Sequence, residues 1–500
     1  MTRSILVWLA LGVPVLGALA SALARRARSA VRLACAAGLA TSALAAAVSV
    51  LVLGSGTWSM AAGWVRVDAL GAVHLLLLAL VGGLSSAFAI VYFGDELDLG
   101  RLNDRQARVF GSLWCAAFFA LTLLLVSNNL GIMWVGMEAT TLVTAFLIAV
   151  HVSRESLEAM WKYVLICSVG VAFAFMGTLL AAAAAPRSGA PSALFWTGLL
   201  AGASRLDPHL IRAAFVFLLV GYGTKAGLAP MHNWLPDAHS QAPAPVSALF
   251  SGFMLNSALY CILRYLPVVD AATGGGGWPR GLVLVFGVAS LLVGAGFLLF
   301  QHDAKRLLAY SSVEHLGIVA IGVGLGGFGT VAALVHSLNH SLAKSLAFWS
   351  VGRLGQAFGT HDVARMSGGF RASATWGVGV LAALGALLGV APFATFLSEL
   401  AILRSAFESG RAPLFLAMLA GLALAFLGLS RHAIRLAWAR PDAAPRRLAD
   451  RPLERALVAC VLVVLLGLGL GWPQPLLRSA LAAARIVNGE AVTLAGLVAP

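Results

Sequence analysis

Six ionisable side chains stand inside or beside apolar runs of this chain: Glu138, Lys225, His336, His340, Lys344 and Glu399. A charge at membrane depth costs about 2.5–3.5 kcal/mol on insertion scales, so a chain that keeps one generally uses it. Lys225 follows the apolar run from Ala213 to Val220, and Pro230, Pro236, Pro243 and Pro245 come after it. Prolines remove backbone donors, and in lipid the freed carbonyls need protein or water as partners. A lysine beside a broken helix therefore marks a polar cavity inside a helical bundle. Glu138 lies near the middle of the run from Leu130 to Val150. Beside Lys225, at about 4 Å and an effective dielectric near 20, its carboxylate is worth roughly 4 kcal/mol. Its withdrawal would let a desolvated lysine release a proton, which makes the pair a switch. The plainer alternative is a protonated Glu138 bonded to Thr140, Thr141 or a neighbouring helix.

His336, His340 and Lys344 stand at i, i+4 and i+8 in LVHSLNHSLAKSLAF, a polar stripe about 12 Å long on one helix face. The spacing admits a metal site, a packed polar seam with Ser337, Asn339 and Ser341, or a hydrated proton path. A metal needs a third ligand, and the HxxxH lacks the glutamate of the zinc-protease motif. Histidines that titrate near neutrality beside a lysine favour the proton path. Glu399 follows a second break in APFATFLSELAIL and is either a relay carboxylate or one satisfied by Ser398 or the break itself.

Secondary candidates surround these groups. Lys305 and Arg306 read as interfacial anchors, with Glu314 and His315 about two turns further in, able to line a cytoplasmic inlet. His232 and His239 flank the first break, as part of a water-filled inlet or as exposed loop residues. Phosphate-cradling loops, dinucleotide fingerprints and nucleophile elbows are absent from the sequence. No cofactor or metal is therefore expected in this chain.

The elements that must position these residues follow from composition. With 60% hydrophobic residues, 11% charged residues and a mean hydropathy of +0.91, the chain reads as all-α, a polytopic membrane helical bundle. About fourteen apolar runs approach the roughly 20 residues a crossing needs. The run at 192–203 is too short and is expected as a surface loop. The net charge of +14 does not indicate nucleic acid, because the arginines lie in short connections rather than on one basic face. The five cysteines have no disulfide or metal spacing. The apolar start, followed at once by Arg25, Arg26, Arg28 and Arg32, is expected as a first membrane helix rather than a cleaved leader. Lys and Arg fall about two to one on the sides taken as cytoplasmic, which puts both termini on the periplasmic side of an inner membrane.

An internal repeat is also visible. Ala229-Pro230-Met231-His232-Asn233-Trp234-Leu235-Pro236-Asp237 recurs as Ala391-Pro392-Phe393-Ala394-Thr395-Phe396-Leu397-Ser398-Glu399. The repeat pairs Asp237 with Glu399, and Lys225 with Leu387. Proline-interrupted helices in two halves are a sequence pointer to a transport site. The expected organisation is three leading helices at 1–104, a five-helix unit at 105–270 and an inverted five-helix unit at 271–430. A basic cytoplasmic loop, closing helix and tail occupy 431–500.

KAGLAPMHNWLPDAHSQAPAPVSALFSG, KRLLAYSSVEHLG, HSLNHSLAKSLAF and APFATFLSE together resemble the antiporter-like proton-translocating membrane subunits of respiratory complex I and its relatives, over roughly residues 105–430. Within that family the wording is most similar to the component F type subunit of membrane-bound nickel-iron hydrogenases. The resemblance implies that Glu138 and Lys225 match the family's glutamate and lysine of the fifth and seventh helices. It implies that His336, His340 and Lys344 match the relay of the eleventh, and Glu399 the exit-side residue of the broken twelfth. One departure is Asn256 in the eighth helix, where several relatives carry lysine or histidine; a relay there would need water or His336. The resemblance further implies a non-redox, proton-pumping subunit of an oxidoreductase complex whose partners are other membrane and soluble subunits. A cation/proton antiporter module, the membrane part of an inorganic-carbon uptake system and a non-pumping assembly subunit share the same expected bundle.

Overall fold

The computed structural model describes residues 2–185, 193–440 and 444–489. In chain order the helices are α1 (Thr2–Leu23), α2 (Ala27–Ser55), α3 (Ala69–Asp98), α4 (Asp104–Val126), α5 (Leu130–Ile148), α6 (Arg154–Ala183) and α7 (Trp196–Ala201). They continue as α8 (Pro208–Ala226), α9 (Leu235–Gln241), α10 (Ala244–Leu249), α11 (Leu255–Ala272), α12 (Trp278–Leu298), α13 (Ala304–Leu325) and α14 (Gly327–Phe358). The last are α15 (Gly369–Ala372), α16 (Ala374–Leu387), α17 (Ala394–Glu408), α18 (Ala412–Trp438), α19 (Pro452–Leu470) and α20 (Gln474–Asn488). A small antiparallel hairpin, β1 (Trp58–Met60) and β2 (Val65–Val67), joins α2 to α3.

Polar residues at the connections explain where helices begin. Asp68, Asn103, Asn129, Ser153, Asp207 and Asp303 each accept from a backbone N–H of the first turn, the groups that lack a partner within the helix.

Eleven helices among the described residues are long and apolar enough to cross a membrane, and the chain is a multi-pass membrane protein. Three expected crossings fall outside that set. α14 has 32 residues but carries the polar stripe, and the runs at 211–240 and 372–407 are each split. α8 stops at Ala226 and α16 at Leu387. Each break then passes through a glycine in the left-handed region, Gly227 at φ 74° and Gly389 at φ 61°, where a side chain would be strained. One apolar residue and a cis Ala–Pro bond follow in both, at Ala229–Pro230 and Ala391–Pro392.

Burial sorts the helices. α1, α18 and α19 carry outward-facing Leu16, Leu19, Leu416, Leu427 and Val463, suited to lipid. The α10–α11 segment and α13 are enclosed by the rest of the protein, and α14 is buried along nearly its whole length. The stripe therefore stands at the centre of the bundle. Two expectations change. The run at 192–203, described from 193, is anchored rather than simply laid on the surface: Trp196 of α7 is buried and its indole donates to the Arg264 carbonyl at 2.7 Å, while Leu194 and Ala201 stay exposed. Part of the expected tail is α20, an amphipathic helix that buries Leu481, Ala484 and Val487.

Candidate functional site

Lys225 sits in the last turn of α8 and is fully buried. Its Nζ donates to Thr141 Oγ1 at 2.9 Å and to the Tyr163 hydroxyl. It also lies over the Tyr163 ring, 4.6 Å from the centroid, a favourable place for a cation. Glu138 of α5 accepts instead from Ser168 Oγ at 2.9 Å, and its second oxygen has no partner among the described residues. The expected direct contact between Glu138 and Lys225 is thus replaced by Thr141, one turn further along α5. Hydroxyls satisfy the ammonium without the cost of desolvating a second charge beside it.

From Tyr163 a series of polar contacts leads inward. Its hydroxyl meets Thr144 Oγ1 at 2.6 Å, and both lie 3.8 Å from the sulfur of Met254. Met254 ends a π-helical turn, Phe250–Met254, between α10 and α11; such turns recur at functional sites. Within it Ser251 Oγ meets Ser312 Oγ of α13 at 2.7 Å. Ser312 donates to the Leu308 carbonyl at 3.0 Å, and the same carbonyl accepts from Lys344 Nζ at 2.7 Å. Asn256 joins the stripe helix through its amide, which donates to Ser341 Oγ at 3.1 Å.

Beyond Lys344, residues of α13, α14 and α17 converge. His336 Nε2 faces His315 Nδ1 at 3.1 Å, while His336 Nδ1 meets Ser398 Oγ at 2.9 Å. His315 Nε2 lies 3.2 Å from the Leu387 carbonyl and 3.5 Å from Glu314 Oε2. Glu399 Oε1 is 3.8 Å from His315 Nδ1. The His340 ring lies 5.1 Å from that of His315, and neither of its nitrogens has a hydrogen-bond partner among the described residues. His315 thus stands amid these groups rather than lining an inlet.

The other candidates are placed elsewhere. Asp237 is ion-paired to Lys162 at 3.1 Å and Arg306 at 2.6 Å, so two cations hold it near the surface, unlike Glu399. His232 is mostly buried beside Tyr310, and His239 is fully buried and stacked on Phe348 at 5.0 Å; neither is an exposed loop residue. Lys305 is not an interfacial anchor. It is buried, and its ammonium donates to the carbonyls of Ser240 at 3.0 Å and Ala242 at 2.6 Å, at the end of α9.

Two buried charge networks lie outside the expectations drawn from the sequence. Arg264 of α11 makes a two-pronged bond to Asp68 at 2.6 and 2.7 Å. Burial alone would raise the Asp68 carboxyl, but the charge and hydrogen bonds of Arg264 hold it below the usual carboxylate range. Arg353 of α14 is fully buried and bonds Asp95 of α3 at 2.6 Å and Glu454 of α19 at 2.7 Å. Arg264 does carry a sequence signal, a charge inside an apolar run. Tyr163 and Thr144 carry none, because uncharged hydroxyls do not stand out in membrane helices; Thr141 is open in the sequence only as a partner of Glu138, and Ser251 and Ser312 lie in the quoted motifs without a role of their own.

A buried lysine site and a buried lysine–histidine–carboxylate cluster within one membrane bundle define an ion-translocating class of protein. The family model described as NADH:quinone oxidoreductase/Mrp antiporter, TM, matches residues 127–427, and the chain belongs to this family. It is 39% identical over 396 residues to a hydrogenase-4 component F homolog of Methylacidiphilum infernorum, covering 77% of this chain and 82% of that protein. A chain of respiratory complex I from Thermus thermophilus superposes with a TM-score of 0.73 at 28% identity, over 94% of this chain and 97% of that one. A chain of the Mrp complex from Dietzia sp. DQ12-45-1b superposes with a TM-score of 0.82 over 98% of each. At 20% identity that likeness concerns the fold alone.

Proposed function

We propose that this chain is the proton-translocating membrane subunit of a complex I-like redox complex, of the hydrogenase or NADH-quinone oxidoreductase type. It sits in the inner membrane with both termini on the periplasmic side, and its two five-helix units, 105–270 and 271–430, are inverted copies. Membrane and soluble partner subunits hold the redox centres; this chain holds none and moves protons.

The observation that carries this reading is the buried polar series from Lys225 through Tyr163 and Thr144, past the Phe250–Met254 turn, to Ser251, Ser312, Lys344, the histidines and Glu399. With Glu138 on Ser168, Lys225 donates to two hydroxyls and lies over the Tyr163 ring, with no carboxylate in direct contact. A swing of Glu138 toward Lys225 strengthens proton retention, and its return favours release toward Tyr163. Redox work in the partners would drive that swing. The similarity to the component F homolog supports the redox partnership.

The test is proton uptake by liposomes containing the complex purified with its native partners. Lys225→Ala and Glu138→Ala should each abolish uptake while leaving the complex assembled. Unimpaired pumping in both would remove the switch. The family description, which names Mrp antiporters beside NADH:quinone oxidoreductases, keeps one other reading, a cation/proton antiporter module. Proton flux that needs sodium or potassium but no redox substrate would identify it, and absence of any flux would mark a non-pumping assembly subunit.

A further inference from the structure

We propose that His315, His336 and Glu399 form a binding site for a divalent transition metal ion of the zinc class. The sequence offers only the pair His336 and His340, one ligand short. The fold supplies a different trio, from α13, α14 and α17. All three residues are buried, and one ligand atom from each lies within 4.8 Å of the others.

The spacing approaches that of a small tetrahedral ion on two of its three sides, the third, between His336 and Glu399, lying within 4.8 Å. Bonds of about 2.0–2.2 Å place neighbouring ligand atoms about 3.3–3.6 Å apart. His315 Nδ1 to His336 Nε2 is 3.1 Å, and His315 Nδ1 to Glu399 Oε1 is 3.8 Å. Two imidazole nitrogens and one carboxylate oxygen select a borderline ion over magnesium or calcium, which prefer oxygen throughout.

The protons on the rings point the same way. The Leu387 carbonyl can only accept, so His315 Nε2 carries the proton and Nδ1 presents a lone pair toward His336 and Glu399. His336 Nδ1 is engaged by Ser398 Oγ, which itself donates to the Thr395 carbonyl at 3.0 Å. With its one proton on the Thr395 carbonyl, Ser398 Oγ accepts from Asn339 Nδ2 at 3.1 Å and from His336 Nδ1, and this tautomer leaves a lone pair on Nε2 as well. In this tautomer two lone pairs face each other at 3.1 Å, an arrangement that a bound cation relieves; with the proton on His336 Nε2 the same contact is a hydrogen bond between the rings. Ser398 and Leu387 become the outer-shell partners that orient metal-bound histidines. His340 is fully buried with both nitrogens unpartnered among the described residues, its ring 5.1 Å from that of His315, and it stands beside the trio rather than within it. Lys344 repels an ion here, and Glu314 offsets that charge.

If the proposed proton relay runs through this cluster, a bound ion occupies the atoms that pass the proton and halts the flow. That consequence rests on the proposed function; the binding itself does not.

The experiment uses the full chain in detergent with Co²⁺ and Zn²⁺ as probes. The wild-type chain should take up one equivalent of Co²⁺ with the visible absorption of a tetrahedral centre, displaced by Zn²⁺. His336→Gln and Glu399→Gln should each weaken binding at least about tenfold, where the loss of an outer-shell partner begins. His209→Gln, on an exposed histidine, should bind as the wild type does. Absence of a tetrahedral Co²⁺ spectrum in the wild-type chain, or binding unchanged in both cluster variants, overturns the site. In liposomes, Zn²⁺ that binds and arrests proton flux supports site and relay together. Zn²⁺ that binds with flux undiminished upholds the site and counts against the relay.

Discussion

Lys225 is held by Thr141, its Nζ 2.9 Å from the threonine hydroxyl, three residues along the same helix from Glu138. In the proposed switch Thr141 is the neutral acceptor that Lys225 uses while Glu138 is bonded to Ser168.

Thr141→Val removes that neutral acceptor. A hydrogen bond to a charged group is worth about 1.5–3 kcal/mol, so proton flux should fall by about 10- to 100-fold with the complex intact. Flux measured in liposomes against the assembled amount of complex checks this; wild-type flux would mean Thr141 is a bystander.

Ser251 and Ser312 stand between the Phe250–Met254 turn and the Leu308 carbonyl that holds Lys344. Ser251→Ala and Ser312→Ala should each slow proton flux, and the double variant should be no slower than the worse single, because both remove one shared contact. Effects that simply multiply would show that the two hydroxyls act separately.

Arg353→Met should lower stability by about 3–5 kcal/mol, the cost of leaving buried carboxylates without their cation. Thermal unfolding of the purified chain measures it. Adding Glu454→Gln should recover part of the loss, since one of the stranded charges is then gone.

Asp68→Asn should destabilise the chain at neutral pH by breaking the bond to Arg264. The Asp68 carboxyl is held below its ordinary range, so its contribution is full above about pH 3.9 and is lost only as pH falls through the lower folded value. The variant should lose stability at pH 7 and lack that acid-dependent part of unfolding. Equal pH profiles for variant and wild type would refute the assignment.

Charges inside apolar runs are legible from the amino-acid sequence: Lys225, His336, His340, Lys344 and Glu399 stand out because lipid makes them costly. The breaks are legible from their prolines. Thr141 and Tyr163 are not, because neither carries a charge that would mark it out. The sequence positions His315 only by its distance from Lys305 along one helix, whereas its place in the cluster depends on how α13 meets α14 and α17. Arg353 looks like part of a connection because the apolar run stops just before it, while α14 continues to Phe358. Helical ends lacking apolar character are settled by their partners in space.

The bond between Arg353 and Glu454 spans 101 positions of the chain, and this separation sets an order of biosynthesis. Asp95 is already made when Arg353 emerges, so α14 can enter the membrane with a counterion waiting. Glu454 arrives last, and finds both Arg353 and the Trp376 indole, 3.0 Å away, already in position. A bundle with α3, α14 or α16 out of place would leave that carboxylate buried without its partners, a cost that correct packing removes before α19 docks.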